Sequence, residues 1–159
     1  MCNLVLKNVW INNARQQIKN VRLIAFLFIF VSFTANAKDY GNVTVSEVTS
    51  IYDADTFRVN IEGYPPIAGE RIPVRVLCVD APELRGKCES EKIKARQAKQ
   101  FTVEALRSAN NIELRNIERG KYFRILADVY VDGKNLANGL IKSGHARSYD
   151  GGKRLGWCK

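Results

Sequence analysis

The hydrophobic period of this chain changes once and then changes back, and that single switch limits what it can fold into. From Val43 to Ile61 the residues are rich in β-branched and aromatic types, and Phe57, Val59 and Ile61 alternate with polar neighbours as a half-buried strand requires. "DAD" at 53–55 divides this stretch into two strands joined by a turn. "EGYPPIAGERIP", with three prolines and two glycines, reads as a loop before a third strand over Val74 to Val79. Over Glu89 to Ala109 the period lengthens. Ala98, Phe101, Ala105 and Ala109 recur at helical spacing with Leu106 beside them, while lysine, arginine and glutamine fill the other face. Ser90 suits the N-cap of this helix, with Glu91 in its first turn. Strands return at Ile112 to Ile117 and Phe123 to Val131, joined through "ERGKY", and a short helix over Leu136 to Lys142 stops near Gly144. Five strands, with one long helix after the third and one short helix after the fifth, predict an α+β protein built on a five-stranded Greek-key β-barrel of the OB-fold type. Barrels of this kind often bind nucleic acids or sugars, which is an analogy of fold and no more.

The N-terminus follows a different rule. Residues 1–22 carry Lys7, Arg15, Lys19 and Arg22 and no acidic residue, and "LIAFLFIFVSF" at 23–33 is followed by Ala35-x-Ala37. A basic segment, an apolar core and a small-residue site read as a secretory signal peptide cleaved after Ala37, which would place the protein outside the cell or in a periplasm. This run of eleven residues, ten of them apolar, falls short of the ~20 that a spanning helix needs. The remaining domain, 38–159, keeps 21 basic residues against 16 acidic, a net charge of +5 against +9 for the 159-residue chain. A moderately basic exported domain favours anionic partners. Cys2 leaves with the leader, and Cys78 reads as a small buried apolar residue. Cys88 and Cys158 lie in polar, turn-like sequence, where an exported protein can keep a disulfide. With no CxxC and with His145 as the single histidine, a zinc site is a poor reading.

Charged residues stand where a barrel prefers apolar or neutral ones. Asp53 and Asp55 lie in the first turn, Asp80 and Glu83 where the third strand runs out, and Arg75 and Arg124 at strand starts. A hard cation such as Ca²⁺ takes several oxygen ligands, which Asp55, Asp80 and the Ala81 carbonyl can supply. Ala81 precedes Pro82 and is therefore held extended. Glu83 is left as a base for an attacking water, and Arg75 and Arg124 can grip a phosphate through their planar forks. Taken one at a time, each of these residues is more readily a surface ion-pair partner, worth ~0–1 kcal/mol. One point of geometry stands against a shared site. Arg75 and Asp80 are five apart, so an ideal strand points them to opposite faces. The strand must bend or bulge between them, or Arg75 must reach over the rim.

"DADTFRV" (53–59), "RVLCVDAPE" (75–83) and "KYFRILADVYVDGK" (121–134), in this order, resemble the thermonucleases, the staphylococcal-nuclease-like proteins, over about residues 43–147. The resemblance implies an OB barrel with helices and Ca²⁺-dependent hydrolysis of DNA and RNA that leaves the phosphate on the 3′ side. It also implies a monomer with no stable protein partner. By resemblance, Asp55, Asp80 and the Ala81 carbonyl match the calcium ligands. Glu83 matches the catalytic glutamate, and Arg75 and Arg124 match the arginines that hold the phosphoryl group. Lys121 and Tyr122 match residues near the nucleotide phosphate, and Tyr149 either stacks on a base or packs at the chain end. The chain departs from the family at Ala54 and Phe123, where glycines are usual, and at Ala81, where threonine is usual. Its loop before Arg75 is longer, and it ends soon after Tyr149 without the C-terminal helix of the best-known member. A Cys88–Cys158 bridge would tie that short tail to the loop after Glu83. The competing readings are a non-catalytic OB module that binds nucleic acid and an envelope protein that uses the barrel structurally.

Overall fold

Each period-2 segment of the sequence becomes a strand of one closed barrel in the computed structural model, which describes residues 40–158. The expected leader, 1–37, lies outside the described residues. In chain order the elements are β1 (Val43–Ile51), β2 (Thr56–Ile61), α1 (Pro66–Gly69), β3 (Ile72–Val76), β4 (Val79–Asp80) and α2 (Glu89–Arg107). They continue with β5 (Ile112–Arg119), β6 (Ile125–Val131), β7 (Lys134–Asn135), α3 (Leu136–Lys142) and β8 (Arg147–Ser148). The main sheet runs β3-β2-β1-β5-β6-β7, and a pairing of β3 with β6 closes β1, β2, β3, β5 and β6 into a barrel. All its pairings are antiparallel except that closing one, which sets Val74 opposite Ile125 and Arg75 opposite Leu126. Register shifts in β1 and in β5 supply the bends that curl a sheet this small.

Phe57, Val59, Val74, Val76, Leu114, Ala127 and Val129 form one buried cluster with Leu140 of α3. Helix α2 turns Ala95, Ala98, Thr102 and Leu106 inward at spacings of three and four. The expected Phe101, Ala105 and Ala109 flank that stripe as partly buried residues. His145 packs with its ring centroid 5.4 Å from that of Phe101, the ordinary place for a histidine after a helix end.

Five expectations are corrected by the structure. The third strand does not run from Val74 to Val79. It stops at Val76, and Cys78 takes φ +63° before β4 sets off to pair with β8 instead of the barrel. Cys78 is only half-buried, so it is not the small buried apolar residue expected. Ser90 is not the N-cap of α2: Cys88 holds that position and its side chain caps nothing. The carboxylate of Glu91 instead accepts from the backbone N–H groups of Glu83 (3.4 Å) and Lys87 (3.1 Å) and ties down the preceding loop. The strand expected from Phe123 begins at Ile125, because Tyr122 (φ +60°) and Phe123 (φ +58°) are both left-handed. The proline-rich loop holds the short α1, with Pro66 at its first position, where a missing N–H costs nothing.

Candidate active site

The β1–β2 turn is the floor of the site, and its shape follows from one buried hydrogen bond. Thr102 of α2 donates its hydroxyl to the carbonyl of Ala54 at 2.7 Å, pinning the turn to the helix. The backbone N–H groups of Tyr52 and Asp53 both reach the Thr56 carbonyl. Asp53 and Asp55, on either side of Ala54, are thereby drawn inward and are only 4% and 2% exposed. The alanine in place of glycine is harmless here: positive φ occurs off glycine at six described residues, and Ala54 is not one of them.

The break at Leu77–Cys78 resolves the parity problem between Arg75 and Asp80. Arg75 leaves β3 with its guanidinium on Asp55, Nη1 at 3.1 Å from Oδ1 and Nη2 at 2.9 Å from Oδ2. The second approach is a charge contact without hydrogen-bond alignment, since Oδ2 accepts no hydrogen. After the left-handed Cys78, Asp80 is buried at the end of β4, followed by buried Ala81 and Pro82 and half-buried Glu83. Above the floor opens a cleft of about 550 Å³, lined among others by Asp53, Arg75, Glu83, Arg124, Tyr149 and Arg154. The buried Nε–H of Arg124 has no acceptor, which leaves a strong donor in a cleft wall.

Of the residues expected to share a site, Arg75, Glu83, Arg124 and Tyr149 line the cleft. Asp55 joins them through Arg75, and Asp80 joins them through Arg154, a residue the sequence reading passed over. Arg154 places Nε 2.9 Å from Asp80 Oδ1 and Nη1 2.7 Å from Glu83 Oε1. Lys121 and Tyr122 are exposed on the loop before Arg124 and are not among the lining residues. Tyr149 is half-buried and gives its hydroxyl hydrogen to the Gly152 carbonyl at 2.8 Å, so a local packing role is visible. Phe123 is exposed, with the Arg119 guanidinium 4.7 Å from its ring centroid.

The tail after Tyr149 has no regular structure beyond that point, and it is fixed at its far end by the expected Cys88–Cys158 disulfide, with Cα atoms 5.9 Å apart. One signal could have found Arg154. Cys88 is five residues after Glu83 and Cys158 four after Arg154, so the bridge carries the arginine to the glutamate.

The carboxylates are not fully matched by the arginines. Asp53 Oδ1 and Asp55 Oδ2 are buried without a hydrogen bond. Burial first, then the charges of Asp55 and Glu83, push the Asp53 carboxyl up from 3.8 to about 7. Buried carboxylate oxygens that accept no hydrogen bond, beside further oxygen donors, are what a hard divalent cation fits, with Arg75 Nη2 standing 2.9 Å from Asp55 Oδ2 as its counter-ion. A pH effect follows with a definite sign. Between pH 3.8 and about 7 the unfolded chain has released the Asp53 proton while the folded chain still holds it. Stability therefore falls as pH rises through that window. In chelator, Asp53→Asn is expected to flatten this slope and to stabilise the protein more at pH 8 than at pH 4, as urea melts at both values will read.

Comparison with known proteins agrees with this geometry. The family model described as "Staphylococcal nuclease homologue" matches residues 73–154, a little over half of the chain, and takes in Arg75, Asp80, Glu83, Arg124 and Arg154. "Endonuclease YncB" of Bacillus subtilis (strain 168) is 33% identical over 114 residues, which cover 70% of this chain and 50% of that protein. The chain thus spans about half the length of that relative. With the expected barrel closed and the matched segment carrying one wall of the cleft, the chain belongs to the family of staphylococcal nuclease homologues.

Proposed function

We propose that this protein is a Ca²⁺-dependent nuclease that hydrolyses phosphodiester bonds of DNA and RNA and leaves 3′-phosphates. We further propose that it works as a monomer outside the cell or in a periplasm, after removal of residues 1–37. The observation that carries the reading is one cleft that brings Asp53, whose buried Oδ1 accepts no hydrogen bond, together with Glu83, Arg75 and Arg124, the buried Nε–H of Arg124 having no acceptor. Asp55, Asp80 and the Ala81 carbonyl would hold the ion, which supplies a Lewis acid for a phosphoryl oxygen.

The remaining steps belong to the chain's own groups. Arg75 and Arg124 bind the scissile phosphate, and their fixed charge is stronger on the more highly charged pentacoordinate transition state than on the diester. Glu83 takes a proton from a water lined up behind phosphorus. As the water oxygen bonds to phosphorus, the bond to the 5′ oxygen breaks and that oxygen leaves with a proton from solvent. Lys121 and Tyr122 stand on the exposed loop beside Arg124, where they can follow the nucleic-acid backbone, and Tyr149 offers a ring to a base at the cleft wall.

The test is digestion of plasmid DNA and of RNA by the purified chain, in Ca²⁺ and in chelator. Cleavage is expected only with Ca²⁺, and the products should carry phosphate on the 3′ end. Absence of cleavage together with salt-dependent DNA binding would replace the enzyme with a binding module.

A further inference from the structure

Trp157 stands out in the tail: residues 153–156 are exposed, yet Trp157 is 8% exposed. Its indole Nε1–H donates to Asp80 Oδ2 at 3.3 Å. The Arg147 guanidinium lies 3.7 Å from its ring centroid, and Arg147 is the register partner of Asp80 in the β4–β8 ladder. Lys94 of α2 approaches the ring at 5.9 Å. The next residue, Cys158, is bonded to Cys88 at the N-terminus of α2. The tail thus holds both oxygens of Asp80, Oδ2 through the neutral indole donor and Oδ1 through the charged Arg154.

Those two contacts differ in kind. A neutral donor fixes the rotamer of a carboxylate without neutralising it, so the carboxylate keeps its charge for a cation, and such outer partners sharpen metal binding. A guanidinium brings its own positive charge and competes for the same oxygen. We propose that the disulfide-clamped tail is part of the metal centre. In it, Trp157 is a positioning residue that presents Asp80 to the ion, and Arg154 is a displaceable counter-ion that opposes it. The inference rests on the reading of Asp55 and Asp80 as metal ligands.

The test is calorimetric titration of the full chain with Ca²⁺, run on the parent, Trp157→Phe and Arg154→Gln. Phenylalanine keeps one ring for Arg147 to stack on and removes the donor together with the second ring of the indole. Affinity is expected to fall about tenfold in Trp157→Phe, read at a temperature where circular dichroism shows the variant folded, and to rise roughly two- to tenfold in Arg154→Gln. A second readout uses fluorescence in a Trp10→Phe background, where Trp157 is the remaining tryptophan. Its emission should change on Ca²⁺ addition with the calorimetric midpoint, which a purely structural indole would not do. Equal affinity in parent and Trp157→Phe, or emission indifferent to saturating Ca²⁺, overturns the positioning role while leaving the metal site standing. Weaker binding in Arg154→Gln overturns the competing role. A parent that binds no Ca²⁺ overturns the ligand assignment and this inference with it.

Discussion

Glu83→Gln is expected to lower kcat by about 10²–10⁴, the range a positioned general base contributes, while Ca²⁺ affinity stays close to that of the parent. The two halves of this expectation come from different atoms. Glutamine is nearly isosteric and its Oε1 can still accept from Arg154 Nη1, which lies 2.7 Å from the carboxylate now. The half-buried loop should therefore keep its shape, the more so because Glu91 holds the Glu83 N–H from below. What is lost is the group that accepts a proton from water. The proposed ligands, Asp55, Asp80 and Ala81, are untouched, so calorimetric Ca²⁺ binding separates the roles. A tenfold or greater loss of affinity would make Glu83 a ligand. Cleavage within about threefold of the parent would move the base elsewhere, with Asp53 the next carboxylate on the cleft wall.

The barrel was legible because its strands announce themselves by period. Phe57, Val59 and Ile61 alternate in sequence and are all buried in the structure, and α3 occupies the expected Leu136–Lys142, with Asn135, an N-cap the sequence reading did not name, accepting from the Asn138 N–H at 3.0 Å. Asp55, Arg75, Asp80, Glu83 and Arg124 were recognisable for the opposite reason: they are charges at strand ends where burial would otherwise exclude them. How they meet was not legible. Their meeting depends on a left-handed residue at Cys78, and nothing about a cysteine signals positive φ. The tail was silent for a related reason. Arg154 and Trp157 follow a Gly-Gly turn and sit in no periodic element, so their placement comes from long-range tethers and not from local pattern. Glu91 was noticed as a first-turn acid, yet its work is to cap a loop, and Gly86 shows why. A Cβ on Gly86 would sit 2.4 Å from the Glu91 carboxyl carbon, so the loop closes on the carboxylate only with glycine there.

Removing the Cys88–Cys158 bridge is expected to have the largest effect on stability. The bridge spans a sequence separation of 70, and the chain-entropy model assigns a loop of that length on the order of 4 kcal/mol. For a domain of this size that corresponds to a fall in melting temperature of roughly 10–20 °C. The paired variant Cys88→Ser/Cys158→Ser, melted beside the parent with and without reductant, checks it: reductant should bring the parent close to the variant. The bridge joins the first turn of the helix that carries Glu91 to the residue after Trp157. Opening it therefore removes the tether of Trp157 and Arg154 together, so Ca²⁺ affinity and stability should fall in the same variant. A variant that melts lower yet binds Ca²⁺ as tightly as the parent would assign the bridge to stability alone, because Asp80 would then hold its place through the β4–β8 ladder without the tail.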